Sequence, residues 1–139
     1  MKIIKIFLYI TILSIVLFAA QLLLDDVLKM YQANSLKNNH KALKLLEDEA
    51  KSGNTNASFL LATAYKNGKA GVINIKMAKH WYRISAKRGD EDAMLMLGWL
   101  YYKDSKNLNS NLKKARYWFK KAASNGVDEA IEMLELLRK

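Results

Sequence analysis

The first part of the chain is an uninterrupted apolar run. Residues Ile6 to Leu24 contain no formally charged side chain over 19 positions. Lys2 and Lys5 lie before this run, and Asp25 and Asp26 follow it directly. At about 1.5 Å rise per residue, a helix of this length crosses the hydrocarbon core of a bilayer. The pattern therefore predicts an N-terminal hydrophobic helix.

Beyond residue 38 the apolar positions follow a helical period, and one five-residue pattern occurs three times. Its members are Ala, Ala eight residues later, Gly three later, Ala four later and Leu four later, with successive copies offset by 36 and 37 residues. The copies are Ala42, Ala50, Gly53, Ala57 and Leu61; Ala78, Ala86, Gly89, Ala93 and Leu97; and Ala115, Ala123, Gly126, Ala130 and Leu134. A repeat of this length without proline is typical of stacked helix pairs.

Each repeat is predicted to contain two helices, named A and B here. The apolar stripe of helix A falls at i, i+3, i+4, i+7 and i+8, and small residues on it allow close helix packing. In the first unit the stripe is Ala57, Leu60, Leu61, Ala64 and Tyr65 on helix A, and Ala78, Trp81, Tyr82, Ser85 and Ala86 on helix B. We expect Trp81 and its counterpart Trp118 to be core residues.

Two residue types mark the predicted helix ends. Gly53, Gly89 and Gly126 follow helix B, where a left-handed glycine ends a helix at little steric cost. Asn38, Asn74 and Asn111 lie four residues before the first alanine of helix B and are predicted to be its N-caps.

These residues together resemble the Sel1-like repeat, a relative of the tetratricopeptide repeat whose 34-residue period does not fit the offsets seen here. The resemblance covers about 100 of the 139 residues. It rests on Ala57, Leu61, Ala62, Tyr65, Gly68, Gly71, Val72, Asn74, Met77, Ala78, Trp81, Tyr82, Ser85, Ala86 and Gly89, and on Ala93, Leu97, Gly98, Tyr101, Asn111, Lys114, Ala115, Trp118, Phe119, Ala122, Ala123 and Gly126. Asn replaces the family's usual Asp at the cap of helix B. The resemblance implies an all-α fold, a short α-solenoid behind the N-terminal helix.

The chain is expected to have three segments. Residues 1–24 form a signal-anchor or transmembrane helix, 25–37 a linker helix and 38–139 the Sel1-like repeat domain. In the linker, Val27, Leu28 and Tyr31 continue the helix as an amphipathic segment that Asn34 and Ser35 end. This segment is expected to act as a spacer and to cover the apolar flank of the first helix B, since terminal repeats need a cap.

The N-terminal helix is interpreted as a retained anchor. Its apolar stretch exceeds the length usual in signal peptides, and Leu17 or Phe18 occupies the position three residues from a cut after Ala19 or Ala20. Lysines before the run and aspartates after it place the N-terminus in the cytoplasm and the repeats on the extracytoplasmic side. The alternative is a cleaved signal peptide and a periplasmic or secreted protein.

Composition limits the chemistry. The chain has 23 Lys and Arg against 13 Asp and Glu, a net charge of +10, and no cysteine. Its lysines are scattered over helix faces, which favours solvated surfaces over a dedicated anion site, and we expect no nucleic-acid partner.

His40 and His80 occupy different repeat positions, and the acidic cluster at 90–92 opens a helix A, where it complements the helix dipole. We therefore expect no catalytic residues, metal or cofactor, and no enzyme activity.

A binding surface is predicted on the side of helix A opposite its apolar stripe. The resemblance implies that helices A line the concave side of the solenoid, through which such proteins commonly hold proteins or peptides. The candidate residues are Phe59, Thr63 and Lys66 in the first unit and Leu95, Trp99 and Tyr102 in the second. The alternative interpretation is that Leu95 and Trp99 pack against the neighbouring helices A.

The function is predicted as a class. The leading hypothesis is a non-catalytic interaction or scaffold module of a bacterial-type envelope, tethered to the membrane, that regulates or assembles a partner protein. A second hypothesis is a cleaved, exported basic protein that binds an anionic surface or polymer. A third is an accessory subunit of an envelope enzyme. The sequence leaves the oligomeric state open.

Overall fold

The computed structural model describes residues 2–32, 36, 39–104 and 109–138, without the side chains of 2–5 and 30–32. All regular secondary structure in these residues is helical, and the predicted all-α class is confirmed. The seven helices are α1 (Lys2–Gln32), α2 (His40–Ser52), α3 (Thr55–Asn67), α4 (Ile75–Lys87), α5 (Glu91–Lys103), α6 (Asn109–Ser124) and α7 (Asp128–Leu136).

The helices α2 to α7 form a stack in which each helix packs against the next in the chain. Helices α3 and α5 are the A helices of the two complete repeats, and α4 and α6 are their B helices. The predicted apolar stripes of the first unit are buried except for the half-buried Tyr65, and the small residues on them allow the helices to approach closely. Trp81 and Trp118 lie in the core, as predicted, with Tyr82 and Phe119 fully buried beside them.

Helices α5 and α6 approach each other closely at Gly98 in α5. A β-carbon placed on Gly98 would lie 2.5 Å from the Cδ1 and Cε1 atoms of Phe119 in α6. Glycine at this position therefore allows the Phe119 ring to fill the space between the two helices.

The helix ends follow the prediction in part. Gly53, Gly89 and Gly126 have φ angles of +116°, +100° and +86°, as expected for left-handed residues after helix B. Asn74 caps α4, since its side chain accepts a hydrogen bond of 3.0 Å from the Met77 N–H.

The other two predicted caps differ. The cap of α2 is Asn39, whose side chain accepts from the Ala42 N–H at 3.0 Å, whereas Asn38 lies outside the described residues. Asn111 is not a cap, because α6 already begins at Asn109. Its side-chain amide instead donates to the carbonyl oxygen of Asp104 at 3.2 Å and ties the start of α6 to the end of α5.

Helix α1 is continuous and longer than the predicted anchor. It passes without a break through the boundary expected after residue 24, so the division into 1–24, 25–37 and 38–139 stays a prediction. The expected end of this helix at Asn34 and Ser35 lies outside the described residues. Leu24 and Val27 are 7% and 2% exposed and belong to the core, and α1 contacts α2 and α3. The C-terminal third of α1 therefore covers the first repeat, as expected of a cap.

The rest of α1 projects beyond this packing. The apolar side chains from Ile6 to Leu23 are largely exposed. Within the described residues, Ile6–Lys29 is long and apolar enough to cross a membrane, a property that signal sequences share. The N-terminal hydrophobic helix is thus present, and its length and composition fit either an anchor or a signal.

Candidate functional site

The six predicted binding residues come from two A helices, and we call them the helix A row. Phe59, Thr63 and Lys66 lie on α3, and Leu95, Trp99 and Tyr102 lie on α5. Five of the six are half-buried, so each keeps some accessible surface. Leu95 differs, because it is only 6% exposed and forms part of the core.

The outward orientation expected for Leu95 is therefore wrong. Helix α5 is central in the stack and packs on both α4 and α6, so its buried arc is wider than the stripe that the sequence pattern defines. For this residue the alternative interpretation, packing between helices, describes the structure.

Trp99 connects three helices of the stack. Its indole Nε1–H donates a 2.7 Å hydrogen bond to Glu129 Oε1 on α7, and its ring meets the Phe119 ring edge-on at 5.8 Å between centroids. The Tyr102 ring also lies 5.8 Å from the Trp99 ring between centroids. Trp99 thus contributes to packing while part of its ring stays accessible, and its orientation is fixed by these contacts.

The α3 part of the row is held by one buried residue of α4. The Tyr82 hydroxyl shares a hydrogen bond of 2.7 Å with Thr63 Oγ1, and its ring meets the Phe59 ring edge-on at 5.4 Å. Both side chains therefore have defined positions on the surface, which lowers the entropy cost of binding a partner there.

One end of the row opens into a small cavity of about 220 Å³. Met96, Trp99 and Leu100 form its apolar floor, and Lys66 and Lys103 lie at its sides. The Lys66 Nζ atom lies 3.9 Å from Met96 Sδ, and no ion pair among the described residues includes either lysine. This end of the row is suited to an apolar side chain next to a carboxylate.

Met96 and Lys103 were missed by the sequence pattern. Lys103 follows Lys66 by 37 residues, the longer of the two repeat offsets, whereas the row was extended with the offset of 36. Comparing both offsets at the C-terminal end of helix A would have identified Lys103.

A larger cavity of about 650 Å³ lies at the other end of the A helices, between α1, α3 and the turn from α4 to α5. We call it the α1 cleft. Its apolar floor includes Leu24, Leu28, Phe59 and Leu60, and its rim includes Gln21, Asp25, Asn56, Arg88, Glu91 and Asp92. Because Phe59 belongs to both, the cleft is continuous with the helix A row. This cleft was not predicted, since α1 was not expected to contribute to this surface.

Two charged residues at the turn from α4 to α5 have hydrogen-bond partners within the fold. Arg88 is exposed, and its guanidinium donates to the Ala50 carbonyl oxygen at 3.3 Å and to Ser58 Oγ at 3.1 Å. Asp90 caps α5 by accepting from the Ala93 N–H at 2.9 Å. The described residues contain no group of three or more His, Asp or Glu side chains that could hold a metal ion.

The structure defines a solenoid of stacked antiparallel helix pairs with a long apolar helix at its N-terminus. The Sel1 repeat model matches residues 55–90 and 91–127, which correspond to α3 with α4 and α5 with α6. The chain therefore belongs to the Sel1 repeat family, as the sequence motifs predicted. Sel1 repeats generally mediate protein–protein interactions.

Solved structures support the same assignment. A protective antigen present in uropathogenic Escherichia coli strains, which displays an SLR fold, is 36% identical over 68% of this chain with a TM-score of 0.60. A Sel1 repeat protein from Oxalobacter formigenes is 32% identical over 64% of this chain with a TM-score of 0.54. The chain spans 20% of the first protein's length and 66% of the second's. No curated protein matches the sequence.

Proposed function

We propose that this protein is a non-catalytic interaction module that is tethered to a membrane and regulates or assembles a partner protein on the extracytoplasmic side. The observation that carries the proposal is the helix A row, in which Phe59, Trp99 and Tyr102 are held in fixed positions yet stay partly accessible. Trp and Tyr, together with Arg, are the residue types enriched among those that dominate binding energy at protein interfaces.

The chemistry of the row favours a peptide segment with mixed character. Phe59 and Trp99 offer apolar contact, Thr63 and Tyr102 carry hydroxyl groups, and Lys66 adds a positive charge at one end. A partner segment that places an apolar side chain on the rings and a carboxylate near Lys66 would use all of these groups.

The tether is proposed to be α1. Its apolar run has the length of the hydrocarbon core, and the charges at its two ends favour a cytoplasmic N-terminus. We propose a bacterial envelope as the setting, because the similar solved structures come from bacteria. In that setting the apolar helix would hold the repeats at the outer surface of the cytoplasmic membrane.

The experiment that tests the row is the substitution Trp99→Ala. The partner is first identified by cross-linking in membranes of the native host and is then titrated, as purified protein, against the full chain. We expect Trp99→Ala to weaken binding by about 2 kcal/mol or more, roughly 30-fold in affinity. Tyr117→Ala is the matched control, since Tyr117 is an aromatic residue of α6 that is 52% exposed and lies outside the row.

Thermal unfolding of both variants is measured beside the titration. Affinity that is unchanged in a folded Trp99→Ala variant would contradict the row as the binding surface. If the variant unfolds, Trp99→Phe, which keeps most of the ring packing but removes the indole N–H, replaces it in the titration.

The excess of lysine supports a second candidate, an exported protein that binds an anionic polymer or surface. Without Lys2 and Lys5 the chain keeps 21 basic against 13 acidic residues. Lys113 and Lys114 are exposed on α6, and reversing both to Glu should reduce binding to anionic vesicles in a strongly salt-dependent way if this candidate is correct. If the first candidate is correct, the reversal should chiefly slow association with the partner protein.

A further inference from the structure

The C-terminal third of α1 has the spacing of a helix A. Ala20, Leu24 and Val27 are separated by four and three residues, and the same separations occur among buried residues of α3 and α5. The three sets are Ala20, Leu24 and Val27; Ala57, Leu61 and Ala64; and Ala93, Leu97 and Leu100. They are offset by 37 and 36 residues, which are the two offsets of the repeats themselves.

The connections and contacts of α1 agree with this alignment. Residues 33–39 separate α1 from α2, and residues 68–74 separate α3 from α4, so both connections contain seven residues. Helix α1 contacts α2, the helix that follows it, and α3, the next A helix. Side chains also join successive A helices within the stack, Lys66 to Met96 and Trp99 to Glu129. Leu24 and Val27 are buried like their equivalents, whereas Ala20 is half-buried where Ala57 and Ala93 are fully buried. Helix α2, whose apolar flank the segment after residue 24 was expected to cover, therefore pairs with the end of α1.

This arrangement leaves no spacer between the apolar run and the repeats. The run ends at Leu24, while the segment equivalent to helix A already begins at Ala20. If Ile6 to Leu24 spans the hydrocarbon core, a length of about 28 Å, residues 21–28 lie where the helix leaves the bilayer. The α1 cleft then opens at the level of the lipid headgroups. Its lining on the α1 side consists of Gln21, Leu24, Asp25 and Leu28.

We infer that the α1 cleft binds the segment of an integral membrane protein that directly adjoins one of its transmembrane helices. This inference rests on the proposed function, because it requires α1 to be retained in the membrane. The cleft shares Phe59 with the helix A row. Because it opens at headgroup level when α1 spans the bilayer, a segment that adjoins a transmembrane helix can enter it while that helix stays in the membrane.

The charges around the cleft define the chemistry of this segment. Four carboxylates line the cleft, those of Asp25, Asp90, Glu91 and Asp92, against one cation, Arg88. The Arg88 guanidinium donates to the neutral Ala50 carbonyl and Ser58 hydroxyl groups, so the lining as a whole is negatively charged. The apolar floor of Leu24, Leu28 and Leu60 suits an aliphatic or aromatic side chain. The occupant is therefore a juxtamembrane segment with one large apolar side chain and at least one Lys or Arg beside it.

The test places a photo-reactive p-benzoylphenylalanine at Asn56, an exposed residue that lines the cleft. The full chain is expressed in its native host, irradiated, and the cross-linked residue of the adduct is identified by mass spectrometry. We expect that residue to lie within about ten positions of a transmembrane helix, since ten extended residues reach roughly 33 Å. The same probe at Tyr117, on α6, should not give this adduct. An adduct with a soluble protein, with a second copy of this chain or with lipid alone would overturn the inference.

A second variant moves the cleft away from the membrane without removing any residue of the repeats. The insertion between Ala19 and Ala20 consists of five leucines, which restore the apolar run that would otherwise end after 14 residues at Ala19, followed by a flexible Gly/Ser spacer of about ten residues with a mean span of roughly 17 Å. Because the segment from Ala20 onward is intact, the thermal unfolding midpoint of the repeats should be unchanged. The Asn56 adduct should fall by about tenfold or more, and the same spacer added after Lys139 should leave it unchanged. An undiminished adduct in the Ala19–Ala20 insertion would overturn the inference.

The two proposals fail in different ways. If Trp99→Ala leaves affinity unchanged while the Asn56 adduct maps beside a transmembrane helix, the helix A row is wrong and the cleft stands. If Trp99→Ala weakens binding while the Asn56 adduct maps to a soluble protein, the row stands and the cleft is wrong.

Discussion

At the scale of single residues, Tyr65 carries a pH dependence. Its hydroxyl group donates to Glu47 Oε1 at 3.3 Å, and burial together with the nearby carboxylate raises the pKa of Tyr65 above its ordinary value of about 10. Above about pH 10 the Tyr65 hydroxyl loses its proton in the unfolded chain, while the folded chain retains it because its pKa is higher. The folded state then binds more protons, so its stability falls as the pH rises.

We therefore expect Tyr65→Phe to reduce the loss of stability between about pH 10 and 11. Urea unfolding of the wild type and the variant at pH 8, 10 and 11 measures the difference. Glu47→Gln should have a smaller effect, because burial is the larger cause of the raised pKa and remains in that variant. Identical alkaline slopes for the wild type and Tyr65→Phe would contradict the assignment.

The substitution Gly98→Ala combines two opposing effects on stability, a gain in helix propensity and a loss from overpacking. Replacing a mid-helix glycine by alanine usually stabilises a helix by about 1 kcal/mol. Here the new β-carbon would lie 2.5 Å from the Phe119 ring, and overpacking costs about 1 to 3 kcal/mol. We expect Gly98→Ala to be destabilising in urea unfolding and to be partly rescued by Phe119→Leu. Equal effects of Gly98→Ala in the presence and absence of the Phe119 ring would show that the contact is not the cause.

The burial and the backbone conformation of some residues were predictable from the sequence, and those of others were not. The burial of Trp81 and Trp118 and the left-handed glycines were predictable, because each depends on the local repeat pattern. The burial of Leu95 was not, since it depends on how many helices surround α5. The choice of Asn39 over Asn38 as a cap depends on the exact start of α2, which periodicity defines only to within a residue or two.

At the scale of helices, α1 is the element that departs most from expectation. Its apolar run was predicted correctly, but its last third was interpreted as a linker because Asp25 and Asp26 interrupt the apolar pattern. In the structure both aspartates are exposed, while Leu24 and Val27 face the repeats. The capping role of this segment was therefore expected, whereas its equivalence to a helix A was not.

The contribution of α1 to repeat stability can be measured with Leu24→Ala. Removal of this buried side chain should destabilise the repeats by about 2 to 5 kcal/mol, as large-to-small substitutions in cores do. The control is Leu28→Ala, because Leu28 is 40% exposed on the same helix and should cost less than about 1 kcal/mol. Both are measured by urea unfolding of the full chain in detergent. If Leu24→Ala and the wild type have the same free energy of unfolding, α1 does not stabilise the repeats.

At the scale of the whole molecule, the solenoid and its family were predictable from the repeat spacing, and most of the helix A row lies where helix periodicity places it. The α1 cleft was not predictable, because it forms between a segment outside the matched repeats and the turn between α4 and α5, which are far apart in the chain. The cleft depends on how α1 packs against α3. The sequence indicates this packing only weakly, through the spacing of Ala20, Leu24 and Val27.

The central claim for the whole molecule is that α1 is retained and joins the membrane to the repeats. The most direct test is the intact mass of the protein isolated from its native host, measured separately for the membrane and soluble fractions. We expect the full chain of 15.9 kDa in the membrane fraction, resistant to extraction by high salt or alkali. Recovery from the soluble fraction at a mass lacking about 20 residues would contradict the claim and favour the exported protein.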